Sequence, residues 1–320
     1  MKDTWSAGSA VKQLRERKKL SGIQLSQGLC SPATLSRIEA DEREMELIFA
    51  VRIFERLGYY PDKYELLGNK DDYEQYEQRL FIQKLKRKRQ YDQMALELSR
   101  YQKKWKTVIE KNRLHQQFVD SMQGFLYIQE KDGEKFTRGI QLLEKAIAVT
   151  MPDWKGDWKY SAIIGETELE ILSALADASE NAGKAQEAFS MRGNIYDYIE
   201  KKTDNRVQML PVYTEIVCKL VPVILEEHNV GGALKLCEDA LKALSDRGRT
   251  YHWPDLLYWK GRCLEELYRM GKTEKDAVTA AYMRSYYIYR LFGMSETAEK
   301  IKAYLDKEEL AWECISLEKL

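Results

Sequence analysis

Two patterns of apolar and polar positions divide the chain. Over residues 9 to about 68, apolar residues recur at helical spacing in short segments broken by Gly, Ser or Asp. From about residue 71 onward the segments are longer, and no stretch shows the alternation typical of a strand. The pattern predicts an all-α protein. Its first domain is a bundle of four to five helices over residues 1–68, and its second is a helical repeat domain over residues 69–320.

The second region consists of successive helix pairs. The predicted pairs are 71–88 with 91–104, 111–131 with 134–149, 162–182 with 184–201, 204–228 with 230–245, and 253–270 with 274–292, and 295–320 caps the end. Small residues recur where the second helices approach their neighbours: Gly139, Ala146, Ala185, Ala188, Ala233, Ala240, Ala277, Ala280 and Ala281. Such pairs are typical of a tetratricopeptide-like α-solenoid. A non-repetitive helical bundle is the alternative.

A proline in the first region marks the start of a helix. Ser31 is a favourable N-cap, and Pro32 then occupies the first helical position, where its missing N–H costs nothing. Leu35 and Ile38, three residues apart, face inward. In the preceding short helix, the predicted buried contacts are Leu25 and Ile23.

These residues resemble a known family. The string "LRERKKLSG…LSQGLCSPATLSRIEADER" is similar to the helix-turn-helix of the lambda-repressor/Xre class. The "GLCS…TLSRIE" form resembles the variant found in the RRNPP peptide-sensing transcription regulators of Gram-positive bacteria, where a tetratricopeptide-like solenoid follows the DNA-binding module. The resemblance implies a structural ion pair between Arg15 and Glu39.

The outward face of the proline-led helix is the candidate DNA-reading surface. Small and hydrogen-bonding side chains near the N-terminus of such a helix can approach base edges in the major groove. The candidate DNA-binding residues are Ser31, Pro32, Ala33, Thr34, Ser36 and Arg37, with Gln24 from the preceding helix. We expect Arg37 to contact a phosphate or a guanine, and the DNA to be a two-fold-related operator.

The composition limits the other kinds of site and partner that the chain is expected to have. The net charge is zero, and the first sixty residues carry only a slight basic excess. Five scattered cysteines without a Cys-x-x-Cys pattern favour free thiols in a reducing compartment. The three histidines share no ligand spacing, so no metal and no cofactor is expected. The absence of a long apolar stretch favours a soluble, cytoplasmic protein without a membrane partner.

Two features of the sequence have alternative interpretations. The basic run "KLKRKR" at residues 84–89 is either a solvated helix end or a contact to flanking DNA phosphate. Cys30, in the predicted turn before the proline-led helix, is either a small core residue or a redox switch.

The first helices of the pairs would line a concave surface suited to an extended peptide. The candidate peptide-binding residues are Gln117, Ser121, Ser173, Asp177, Glu215, Lys219, Tyr258, Arg262 and Glu265. The family resemblance implies asparagines that hold the peptide backbone. The corresponding positions, near Ser173 and Lys219, carry other residues.

The sequence therefore predicts a homodimeric transcription regulator whose repeat domain senses a short peptide. One alternative is a protein-interaction scaffold controlled by a protein partner. A catalytic role, such as phosphatase activity toward a response regulator, has no supporting residue constellation, so the chain is not expected to be an enzyme.

Overall fold

The computed structural model describes residues 6–59, 70–130, 133–156, 158, 163–201 and 209–307. Within these ranges the chain forms sixteen helices and no strand, which confirms the all-α prediction. The chain divides into two compact units, Met1–Gln208 and Met209–Leu320. The predicted domain boundary at 68/69 falls outside the described residues and stays a prediction.

Four helices form the N-terminal bundle: α1 (Ala7–Arg17), α2 (Gly22–Ser26), α3 (Pro32–Glu39) and α4 (Leu47–Leu57). Their core is built from Val11, Leu25, Leu29, Leu35, Ile48, Ile53, Phe54 and Leu57, and Ile38 is also buried. Helix α1 begins at Ala7, where Ser6 and Ser9 form a capping box. The prediction of Ile23 as a buried contact is wrong. Its side chain is 70% exposed, since only one side of the short helix α2 meets the core.

Three helix pairs follow in the first unit. Helix α5 (Lys70–Arg87) packs on α6 (Tyr91–Lys104), and a short helix, α7 (Lys106–Lys111), connects α6 to the next pair. The second pair is α8 (Arg113–Ile128) with α9 (Gly133–Ala148), and the third is α10 (Glu166–Asn181) with α11 (Ala185–Lys201). These bounds match the predicted pairs closely, whereas α7 was not predicted.

Helices α8 and α9 approach each other closely at two glycines. A Cβ atom on Gly124 would lie 2.9 Å from the carbonyl oxygen of Gly139, and a Cβ on Gly139 would lie 3.0 Å from that of Gly124. Both positions therefore require glycine, which gives Gly139 the role expected from the sequence. Ala146 and Ala188 are also buried, but Ala185 is exposed because it lies at the first position of α11.

The second unit contains two pairs and a final helix. Helix α12 (Leu210–Glu226) packs on α13 (Val230–Ser245), α14 (Trp253–Arg269) packs on α15 (Lys275–Leu291), and α16 (Ser295–Lys307) covers α15. Ala233, Ala240 and Ala281 are buried as expected, whereas Ala277, in the first turn of α15, is exposed. The four described cysteines, Cys30, Cys218, Cys237 and Cys263, are free thiols. None of the sixteen helices in the described ranges has an apolar stretch that could span a lipid bilayer.

Candidate nucleic-acid interface

The start of α3 has the geometry that its sequence predicted. The Ser31 hydroxyl accepts a hydrogen bond from the backbone N–H of Thr34 at 3.1 Å, and Pro32 occupies the first helical turn. The hydroxyls of Ser31 and Thr34 are 2.9 Å apart and share a second hydrogen bond. Pro32 therefore begins this helix and does not interrupt one.

The candidate DNA-binding residues lie together on the outside of the bundle. Ser31, Pro32, Ala33, Ser36 and Arg37 are exposed, and Thr34 is half-buried. The Leu35 and Ile38 side chains point into the core, as the spacing predicted. The outward face of α3 is consequently open to a large ligand.

Two more of the candidate side chains also have intramolecular partners. Gln24 is exposed, and its Oε1 accepts a hydrogen bond from the backbone N–H of Ser21 at 2.8 Å. The Nε of Arg37 lies 3.8 Å from a carboxylate oxygen of Glu42, and both side chains are largely exposed. Because exposed ion pairs are weak, Arg37 can exchange Glu42 for another anion at little cost.

An ion pair fixes α1 to the end of α3. The Nε and Nη2 atoms of Arg15 donate to the two carboxylate oxygens of Glu39 at 2.6 and 2.8 Å, and Arg15 Nη1 donates to the Leu20 carbonyl at 3.0 Å. The hydrogen bond to Glu39 raises the pKa of Arg15. The scaffolding role implied by the family resemblance is confirmed for this pair.

The turn between α2 and α3 packs against the second helix pair. Gly28 has a φ of +71°, and a Cβ atom added there would lie 2.1 Å from the carbonyl oxygen of Thr150, just beyond the end of α9. Arg113, the first residue of α8, donates from Nη2 to the carbonyls of Gly28 and Leu29 at 2.9 and 2.6 Å. Its neighbour Leu114 is buried within the core of the N-terminal bundle.

A buried group of charges joins α4 to α10. Arg52 and Arg56, four residues apart on α4, lie 3.7 and 3.5 Å from the two carboxylate oxygens of Glu168. Arg52 also lies 3.2 Å from Glu55. All four side chains are at most 9% exposed. Separating buried ion pairs of this kind is costly, because it leaves charges without partners in a low-dielectric environment.

The pKa values of the two carboxyl groups in this cluster shift in opposite directions. Burial would raise the pKa of Glu168, but Arg52, Arg56 and backbone hydrogen bonds lower it to about 2. Burial raises the pKa of Glu55, against the effect of Arg52, and the nearby Glu168 adds to this rise. The two arginines therefore favour the ionised form of Glu168.

Gln117, a candidate peptide-binding residue, is fully buried and belongs to this attachment. Its Oε1 accepts from Arg52, and its Nε2 donates to the Ala146 carbonyl at 2.8 Å and to the Thr150 hydroxyl at 2.9 Å. The expectation that it faces an open groove is wrong for this structure, because the N-terminal bundle covers it.

The other candidates of the first unit are also engaged. Ser121 is buried and donates to the Phe118 carbonyl at 2.8 Å, and Ser173 is 1% exposed. Asp177 is half-buried and accepts from Arg192 at 2.8 Å. None of these residues lines the cavity of about 450 Å³ that lies between Trp154, Trp158, Leu172 and Met191. Peptide binding by these residues stays a prediction.

In the second unit the candidates lie on α12 and α14. Glu215 and Lys219 form a half-buried pair at 2.5 Å. Tyr258 is half-buried, and Arg262 donates to the Tyr304 hydroxyl at 2.8 Å. Glu265 is 4% exposed and accepts from the hydroxyls of Tyr282 and Tyr304 at 2.7 and 2.8 Å. Of this set, Glu265 is buried within the unit, while the others retain accessible surface.

Part of the basic run at 84–89 has acidic partners. Lys86 lies 3.4 Å from Glu170 on α10, and Arg87 lies 3.8 Å from Glu170 and 3.9 Å from Glu166. These two residues therefore connect α5 to α10. Cys30 is half-buried against the bundle core, and burial raises the pKa of its thiol.

Four residues that join the N-terminal bundle to the helix pairs were not predicted from the sequence: Arg52, Arg56, Arg113 and Glu168. A signal was present in "LIFAVRIFERL", residues 47–57, where two arginines four apart and Glu55 interrupt a largely apolar helix. Arginines at that spacing share a helix face and need acidic or carbonyl partners when the helix is buried. The sequence does not show which distant carboxylate supplies them.

Comparisons with known proteins concern the N-terminal motif and the fold. Residues 11–64 match the Helix-turn-helix family model, and no curated protein is significantly similar to the chain. The crystal structure of Bacillus thuringiensis PlcR in complex with the peptide PapR7 and DNA is similar, with 19% sequence identity, a TM-score of 0.56, and coverage of 96% of this chain and 99% of that one. The crystal structure of Bacillus thuringiensis PlcR in its apo form is also similar, with 17% sequence identity, a TM-score of 0.55, and coverage of 93% of this chain and 98% of that one.

At these identities the likeness establishes a shared fold. The resemblance drawn from the sequence is thus confirmed for the N-terminal motif by the family model and for the architecture by the PlcR structures. The chain carries an N-terminal helix-turn-helix domain and shares the fold of Bacillus thuringiensis PlcR over nearly its whole length.

Proposed function

We propose that this protein is a homodimeric transcription regulator. It reads a two-fold-related operator through α3, and its helical repeats sense a short peptide. The observation that supports DNA reading most directly is the exposed outward face of α3, capped by Ser31 and held on a rigid core by Leu35 and Ile38. Small side chains at Ala33 and Ser36 permit close approach to base edges. The proposal assigns no catalytic chemistry to the chain.

A selection experiment tests the DNA-reading part. The full-length protein is incubated with duplexes that carry a randomised core, and bound duplexes are recovered and sequenced. We expect enrichment of a sequence with two related half-sites, because a two-fold dimer presents two copies of α3. Failure to enrich any sequence, even at low salt, would contradict the proposal.

Substitution of Arg37 tests the reading face itself. Arg37→Ala is expected to weaken binding to the selected duplex. If Arg37 contacts a phosphate, the slope of log affinity against log salt falls by about 0.9, and if it contacts a guanine, discrimination at one base is lost. Lys235→Ala removes the same charge from an exposed position in the second unit and is the matched control. Equal affinities of the two variants for the selected duplex would show that Arg37 does not contact the DNA.

Peptide sensing is supported by the shared fold with PlcR, which was crystallised with PapR7 and DNA. The test is a thermal shift of the full chain with synthetic peptides encoded by short open reading frames beside its gene. A saturable rise in Tm for one peptide, with altered affinity for the selected duplex, is expected. Recovery of one stoichiometric protein partner and no responsive peptide would favour the scaffold alternative. Sedimentation velocity tests the dimer.

A further inference from the structure

The backbone carbonyl groups just before α3, the proposed recognition helix, accept hydrogen bonds from two arginines in different parts of the chain. Arg56, on α4 of the same bundle, donates from Nη1 to the carbonyls of Leu25 and Gln27. Arg113, on α8 of the second helix pair, donates to the carbonyls of Gly28 and Leu29. Four backbone carbonyls at the end of α2 and in the turn thus face the guanidinium groups of these two arginines. The positive charge stabilises the carbonyls in this orientation.

The backbone of the turn is also in direct contact with the second helix pair. The space beside the Gly28 Cα is filled by the Thr150 carbonyl, so that no side chain fits there. Thr150 is 2% exposed, and its hydroxyl accepts from Gln117, which in turn accepts from Arg52. The turn cannot change its direction without displacing these contacts.

The direction of this turn sets the angle at which α3 leaves α2. In a helix-turn-helix, that angle determines how the reading helix enters the major groove. We propose that Arg113 is a positioning residue for DNA recognition, through which the second helix pair fixes the orientation of α3. This inference rests on the proposed DNA-binding function. It adds a residue outside the matched helix-turn-helix segment to the recognition machinery.

Arg113 is a suitable residue to test because it is exposed, unlike Arg56, which is 2% exposed. Removing an exposed arginine leaves no unpaired charge in the interior, so Arg113→Ala is expected to keep Tm within about 2 °C of the wild type. Lys111→Ala is the matched control, since it removes the same charge from an exposed position two residues earlier.

The experiment measures affinity of the full-length protein by fluorescence anisotropy over a range of salt concentrations. One probe is the duplex selected by the wild-type chain, and the other is a duplex of equal length with shuffled sequence. Arg113→Ala is expected to weaken binding to the selected duplex about tenfold, as for loss of a charge-assisted hydrogen bond. Its affinity for the shuffled duplex and its salt slope are expected to stay those of Lys111→Ala.

Three results would overturn the inference or its basis in distinguishable ways. Equal affinity of Arg113→Ala and Lys111→Ala for the selected duplex would show that Arg113 does not position α3. Equal losses on both duplexes, with the salt slope lowered by about 0.9, would show that Arg113 contacts phosphate directly. Failure of the wild-type chain to select any duplex would instead contradict the proposed function.

Discussion

Glu168 holds the N-terminal bundle to the third helix pair, and replacing it should cost several kcal/mol. Its carboxylate faces Arg52 and Arg56 at 3.7 and 3.5 Å, and it also accepts from the backbone N–H of the N-cap residue Gly165 at 3.0 Å. Breaking a buried ion pair by removing one partner typically costs about 3–5 kcal/mol. The lowered pKa of Glu168 agrees in direction, because the two arginines stabilise its ionised form in the folded state.

Two variants separate the contribution of the Glu168 charge from that of its hydrogen bond to the Gly165 N–H. Glu168→Gln keeps a side-chain acceptor for the Gly165 N–H but removes the charge, so we expect the free energy of unfolding to fall by about 3 kcal/mol. Glu168→Ala removes both, and we expect a further loss of about 1 kcal/mol. The measurement is urea denaturation of the full chain followed by circular dichroism.

Glu187→Gln is the matched control. Glu187 also lies in the first turn of a helix, α11, but it is 53% exposed and pairs with Lys184 at 3.6 Å. Its replacement should cost about 0.5 kcal/mol or less, because exposed ion pairs and helix-dipole contacts are weak. If Glu168→Gln is no more costly than Glu187→Gln, the argument that the buried cluster stabilises the attachment fails.

The pH dependence provides a second test of the same cluster. The pKa of Glu168 is lower in the folded state than the ordinary value of 4.5, so its contribution is fully present above about pH 5. It is lost as the pH falls from about 4.5 to about 2. Glu55 acts in the opposite direction, because its pKa is raised. The difference in unfolding free energy between wild type and Glu168→Gln should therefore shrink toward zero over that range, and a constant difference would contradict the assignment.

Two further predictions concern the turn and a buried histidine. Gly28→Ala should lower the free energy of unfolding by about 1–3 kcal/mol, because its φ is +71° and the added Cβ would lie 2.1 Å from the Thr150 carbonyl. Gly193→Ala, where a Cβ has open space, should be neutral or stabilising by up to about 1 kcal/mol in the same urea assay, and equal costs would count against the close contact. Burial lowers the pKa of His115 to about 3, and the nearby Arg79 adds to this, while the Tyr101 hydroxyl lies 2.7 Å from its Nδ1. NMR of the histidine ring should show it neutral at pH 5, and its contribution to stability should fall as the pH drops from 6.5 to 3; a charged ring at pH 5 would refute this.

Local chemistry explains which parts of the fold could be predicted. The start of α3 followed from Ser31 and Pro32, because a cap and a fixed φ act within one helical turn. The helix pairs followed from apolar spacing, since each segment must bury one face. Ile23 was wrongly placed in the core because a five-residue helix has too few apolar positions to define its buried face.

The sequence by itself determined the paired helices, the cap of α3 and its outward face, all of which depend on residues within a few positions of one another. Only the tertiary structure decided the attachment of that helix to the rest of the chain. Arg56 meets Glu168 across 112 positions, and Arg113 meets Gly28 across 85. For the same reason Gln117 is part of this attachment and does not line an open surface. No local pattern encodes such pairs, because a buried charge can be satisfied by any carboxylate or carbonyl that packing brings within reach.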